Sequence, residues 1–283
     1  MLTPKKLAAC VREAIVLTIR HDGIEHAGYL AFLGLLAMFP FLVFTVAVIG
    51  VIGQGPAGAE FITTILNQLP KHITAAIQPR IVEIVSGPPQ GLLTISIVGA
   101  IWTASSGVEG LRTILNRAYH VATPPAYLFR RSLSILQLLF FTFVLIIAML
   151  LVVTVPLLLK HLEGWLGIHI LYQEYWSHTV VGFSIAALFI AVCGLYYLIP
   201  NIKQRLVSVA PGAVIVVVLW LAAAWLFTLY LSNFHQVSLI YGSLGGIIAA
   251  LVFFYICNMI FIFGAEFNHQ LVEALGLYLA AKE

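Results

Sequence analysis

Six stretches of the chain, 27–52, 91–108, 134–159, 179–199, 209–231 and 243–265, each run without one Asp, Glu, Lys or Arg. A helix needs about 20 predominantly apolar residues to cross a bilayer, so this pattern constrains the fold more than any other feature. Within hydrocarbon only helices and closed barrels keep every backbone amide paired. The two-residue alternation of barrel strands is absent from these stretches. The expected fold class is therefore an all-α membrane protein, with six transmembrane helices forming one domain over residues 1–283. Composition agrees. Hydrophobic residues make up 61% and charged residues 9% of the 283, whereas a soluble domain carries about 25% charged residues.

Basic residues set the expected orientation. With the N-terminus in the cytoplasm, the inner segments hold Lys5, Lys6, Arg12, Arg20, Arg112, Arg117, Arg130, Arg131, Lys203, Arg205 and Lys282, and the outer ones only Lys71, Arg80 and Lys160. Both termini are then cytoplasmic, in a multi-pass membrane protein. The first basic stretch is not followed by a short apolar region and a cleavage site, so no signal peptide is expected. The basic loops lie where they would meet anionic headgroups. None is long enough to fold into a nucleic-acid-binding domain, so membrane lipids are the expected partners and nucleic acid is not. Cys10, Cys193 and Cys257 are too far apart to suggest a disulfide framework or metal-ligand spacing.

The longest external segment, 54–90, opens with Gly-Gln-Gly-Pro and closes with Gly87, Pro88 and Pro89. Between them Ile62, Ile65, Leu66 and Leu69, then Ile73, Ile77, Ile81 and Ile84, recur at helical spacing, which predicts two amphipathic helices broken near Pro70. Pro40 near the middle of the first span predicts a kink. Tyr172, Tyr175 and Trp176 are expected as interfacial anchors. Pro211-Gly212 is expected in the first turn of the fifth span, where proline costs little. Ser238, Gly242, Gly246 and Ala250, four apart, predict a groove for close helix packing, whether within the chain or between copies.

The second span has a polar continuation, WTASSGVEGLRTILNRAY, residues 102–119. At 100° per residue, Trp102, Ser105, Ser106, Glu109, Arg112, Asn116 and Tyr119 share one side of the helix, opposite Ala104, Val108, Leu111, Leu115 and Ala118. Either this is the wet face of a helix emerging into cytoplasm, with Glu109 and Arg112 an i,i+3 pair, or it lines a hydrated cavity or substrate path. Glu266, with Asn268 close behind, ends the sixth span at the same expected depth. Arg112 is its expected partner, the alternative being that Glu266 meets headgroup water.

These stretches resemble the YihY/BrkB family of bacterial inner-membrane proteins. The likeness runs from the Pro-containing first span through WTASSGVEGLRTILNRAY and Pro211-Gly212 to YGSLGGIIAALVFFYICNMIFIFGAEFN. Ala37 departs from it, since members are expected to carry serine there. The resemblance implies six helices with cytoplasmic termini, an association with virulence and serum resistance, and in some members transport of envelope lipids. It also brings an older label, tRNA-processing ribonuclease BN. Nuclease chemistry needs a metal held by clustered ligands, or an arranged acid and base. The nine histidines are scattered along the sequence and the eleven acids form no close cluster in it. No enzyme activity, catalytic residue, metal or cofactor is therefore expected, and no nucleotide-binding loop is present. The expected function is transport or flipping of a lipid or amphiphilic envelope compound. The alternatives are a non-transporting scaffold for envelope machinery, with a protein partner, and, more weakly, a membrane-bound enzyme.

Overall fold

The uncharged runs become helices, because that is how a long apolar segment pairs its own backbone without water. The computed structural model describes residues 4–52, 90–121, 125–144, 147, 172–232, 235–275 and 280–281. Among them the helices are α1 (Pro4–Arg20), α2 (Gly23–Ile52), α3 (Gln90–Ala118), α4 (Tyr127–Val144), α5 (Tyr172–Leu198), α6 (Leu206–Ser232) and α7 (His235–Ala274). Two short strands, β1 (Ile202–Lys203) and β2 (Ala280–Ala281), pair antiparallel with Ile202 opposite Ala281. Helices α4 and α6 and the stretch Gly245–Ala274 of α7 are long and apolar enough to cross a membrane; Gly23–Met38 and Gly182–Leu198 are shorter apolar helices. Leu128, Ile190 and Val207 are among many large hydrophobic side chains left exposed, which lipid, unlike water, accommodates. The chain is an all-α membrane protein.

Several sequence expectations fall outside the described residues. The two amphipathic helices of segment 54–90 are among them, as is most of 134–159 beyond Val144. Helix α2 continues through position 40, but the side chain of Pro40 is not described, nor are those of Tyr172, Tyr175, Trp176, Ser238 and Gly242.

The contacts divide the chain into two compact units. One comprises Met1–Leu36, Gly107–Arg131 and Trp176–Glu283, the other Ala37–Ser106 and Ser132–Tyr175. The core clusters among the described residues lie in the first unit. Helix α1, which no apolar run announces, buries Cys10, Ala14 and Thr18. These lie four residues apart on one helical face. Cys10 and Ala14 meet Phe267 and Leu271 of α7, with Val11, Ile215 and Phe263 around them. A second cluster joins Ala27 and Leu30 of α2, Ile114 of α3 and Ile262 of α7.

The closest backbone approach joins α6 to α7. A methyl on Gly212 would collide with the carbonyl oxygen of Gly264, and one on Gly264 would strike Val216 and the Tyr196 hydroxyl. Only a missing Cβ allows this crossing. At Gly246, expected in a packing groove, nothing among the described residues lies within 4 Å of where a Cβ would stand; Ala250 is half-buried. A correction concerns Pro211. Helix α6 begins at Leu206, so the proline lies inside the helix rather than in its first turn. Asn268 makes good the local hydrogen bonding. Its Oδ1 accepts from the Gly212 N–H at 2.7 Å, and its Nδ2 donates to the Val209 carbonyl at 3.1 Å.

Candidate functional site

The polar row of α3 turns inward over much of its length. Ser105, Arg112, Asn116 and Tyr119 are buried, whereas Thr113 and Arg117 of the same helix are exposed. That excludes a simple wet face. Trp102, at the start of the row, is exposed. Ser105 and Ser106 both donate their hydroxyls to the Trp102 carbonyl, at 2.9 and 3.1 Å. Serines in an apolar helix commonly satisfy themselves this way.

Farther along α3, the side chains bind the chain that follows α5. Arg112 Nη1 donates to the Ile199 carbonyl at 2.9 Å. The amides of Asn116 and Asn201 engage reciprocally: Asn116 Nδ2 donates to Asn201 Oδ1 at 3.0 Å, and the Asn201 backbone N–H donates to Asn116 Oδ1 at 2.8 Å. Glu109 lies 3.4 Å from Arg112 Nε and 3.5 Å from Arg130 Nε, so one carboxylate is set between two guanidinium groups. Tyr196, wholly buried, donates its hydroxyl to the Phe261 carbonyl and stacks on the Phe261 ring at 4.5 Å, tying α5 to α7.

Glu266 does not take the partner expected for it. Arg112 is committed to Glu109 and Ile199, and the Glu266 carboxylate, fully buried, lies 2.7 Å from His21 Nδ1. The reason is the geometry of the α1–α2 turn, which carries His21 back toward α7. Asp22 there has a φ of 56°. A Cβ on Gly23 would press to 2.5 Å from the Thr18 carbonyl oxygen, so the turn requires glycine. An ion pair of 2.6 Å between Asp22 and Arg117 joins the turn to α3.

The end of α3 delivers a second imidazole to the same place. The helix closes with the His120 N–H donating to the Arg117 carbonyl and the Val121 N–H to the Asn116 carbonyl, a Schellman-type end. His120 occupies the left-handed position, with a φ of 54°. Its ring lies 5.0 Å from that of His21 and 4.3 Å from that of His269. Partial burial, and then His21, hold the His120 imidazole below its ordinary range. Burial pushes the adjoining Tyr119 phenol up; its oxygen is 3.5 Å from Asn268 Nδ2. The histidines scattered in sequence thus converge in space. Ligand atoms of His21, His120 and Glu266 all lie within 4.8 Å of one another, an arrangement that could hold a metal ion. Sequence reasoning missed His21, His120 and His269. The local signal was slight: His120 and His269 each sit beside a residue already singled out, Tyr119 and Asn268.

The virulence factor BrkB family matches residues 17–278 of the chain. A ribonuclease-like protein of Bacillus subtilis, YfkH, is 30% identical over 249 residues, covering 88% of this chain and 90% of that protein. A UPF0761 membrane protein of Vibrio parahaemolyticus is 40% identical over 85 residues, 30% of this chain and 27% of the relative. One from Photobacterium profundum is 36% identical over 93 residues, 33% and 29% of the two chains. No solved structure matches.

Proposed function

The chain belongs to the virulence factor BrkB family of membrane proteins, and from that premise we propose that it moves a lipid or other amphiphilic envelope compound across a bacterial inner membrane. The observation that carries this is the inward polar row of α3, with Ser105, Arg112 and Asn116 buried in a protein whose outer surface is heavily apolar. An amphiphile needs both environments: polar groups for its head and lipid for its tails. Ser105 lies within the second span, where a polar side chain is costly to keep without use, and Arg112 and Asn116 continue the row beyond it. The orientation that accompanies this proposal has six spans and cytoplasmic termini, as the distribution of basic residues favours.

The test is reconstitution into vesicles containing a fluorescent phospholipid, with an impermeant quencher added outside. Protein-containing vesicles should lose the inner-leaflet signal as well as the outer, and Arg112→Gln should slow that loss. Quenching limited to the outer leaflet, as in empty vesicles, would remove the transport proposal.

One observation favours a second reading, a scaffold for envelope assembly with a protein partner. Arg112 and Asn116 are held by Ile199 and Asn201, which suits a sealed bundle better than a path that must release its contacts. Under that reading the vesicles behave as empty ones. The ribonuclease-like name belongs to the Bacillus relative. We propose that no nuclease activity accompanies this chain; cleavage of tRNA by purified protein, lost with Glu109→Gln and Glu266→Gln together, would overturn that.

A further inference from the structure

We propose that His21, His120 and Glu266 form a binding site for a divalent transition-metal ion of the zinc class, with His269 at its edge. Two imidazoles and one carboxylate are a complete protein ligand set for zinc that leaves a fourth position open. The three residues come from three places in the chain: the α1–α2 turn, the end of α3 and the late part of α7. Their candidate ligand atoms lie within 4.8 Å of one another. Zinc holds such atoms about 2 Å from itself, so a modest rotation of the exposed His120 ring completes the approach. That exposure also provides an entry path for the ion.

Three further observations point the same way. Glu266 is fully buried, yet among the described residues only Oε1 has a partner; Oε2 has no hydrogen bond among them, and neither does the buried Nδ1 of His269. A buried carboxylate oxygen without a donor is costly, and a cation at this point would satisfy it. Glu273, one turn beyond His269 on α7, is another carboxylate that acts on His120 and His269. Two acids beside three imidazoles form a surrounding suited to a cation. Lastly, His120 holds a left-handed helix-end position that glycine occupies more cheaply. The backbone that ends the helix thereby fixes where this imidazole stands.

Binding would replace the proton shared between His21 Nδ1 and Glu266 Oε1, so uptake of the ion should release protons and weaken as pH falls. The ion would fasten α1–α2, α3 and α7 together at one point.

The experiment uses full-length protein in detergent, purified without a histidine tag, stripped with chelator and equilibrated with zinc chloride or cobalt chloride. The expected results are one zinc ion per chain after dialysis and a cobalt absorption spectrum of tetrahedral type. His120→Gly should abolish both while unfolding in metal-free buffer at the same or a higher temperature, since it relieves the left-handed backbone. Glu266→Gln should also lose the ion, and His26→Gln, a nearby histidine outside the cluster, should keep it. His269→Gln should weaken binding by about 10–100-fold, as loss of a supporting group does. The proposal fails if the wild-type chain retains no stoichiometric metal, or if His120→Gly retains it. It also fails if His26→Gln loses metal as completely as the cluster variants.

Discussion

Asn268 and Glu266 are two residues apart on α7, both fully buried, and their surroundings differ completely. The Asn268 amide accepts from the Gly212 N–H and donates to the Val209 carbonyl. Glu266 has one oxygen on His21 and the other on nothing. The difference separates two uses of a buried polar group. An amide with its bonds filled specifies how helices cross, here at the proline inside α6. A carboxylate with a bond left over has paid for burial without spending all of its capacity, and is the better candidate for binding something. The saturated kind extends to Asn116, Asn201 and Tyr196. Glu266, with the Nδ1 of His269 beside it in the histidine cluster, is of the unsaturated kind.

The largest effect expected from breaking the saturated kind is at Arg112. Arg112→Met takes the donor from the Ile199 carbonyl and leaves Glu109 with Arg130; breaking a buried ion pair costs up to about 3–5 kcal/mol. Chemical or thermal unfolding in detergent should show it, and a change within error would mean that the guanidinium contributes nothing net. Next in size is the α6–α7 crossing. Gly264→Ala places a methyl against Val216 and Tyr196, and Asn268→Ala strips partners from Gly212 and Val209; each should cost about 1–3 kcal/mol. A stable Gly264→Ala protein would show that the two helices can move apart freely. For the paired amides, a double-mutant cycle of Asn116→Ala with Asn201→Ala should give a coupling of about 1 kcal/mol. The smallest effect belongs to the unsaturated side. Glu266→Gln in metal-free buffer should change stability by less than about 1 kcal/mol, because the substitution removes an incompletely compensated charge. Glu266→Gln and Arg112→Gln, whose described partners differ (His21 for one, Glu109 and Ile199 for the other), should add to within about 0.5 kcal/mol. Strong coupling there would restore the pairing that the depth of the two residues suggested.

That mistaken pairing shows what could be read from sequence. Membrane class and helical fold follow from uncharged runs, a property of each segment alone. That Ser105, Arg112 and Asn116 share one side of α3 was also legible from spacing; that this side is buried was not. Which residue meets which across helices was not. His21 reaches Glu266 from 245 positions away because a turn at Asp22 and Gly23 aims it there, and no periodicity encodes that aim. Helix α1 escaped notice for another reason. Its buried face is made of Cys10, Ala14 and Thr18, too small and mixed to stand out as an apolar stripe. Pro211 was misplaced because a proline suggests a helix start, and the side chain that lets it sit deeper, Asn268, lies on another helix.

The unbroken course of α7 from His235 to Ala274 has a consequence for length rather than for composition. The Phe261 carbonyl and Gly264 meet Tyr196, Glu266 meets His21, Asn268 meets Gly212 and Val209, and Leu271 packs with Cys10 and Ala14, so one rotation of the helix sets all of these contacts. A single residue inserted between positions 250 and 258 would rotate everything beyond it by about 100° and advance it by about 1.5 Å. Every one of those contacts would be lost at once. Seven inserted residues, close to two whole turns, would restore the angle but displace the contacts by about 10 Å along the axis. This stretch of chain can therefore drift in sequence while its residue count stays frozen.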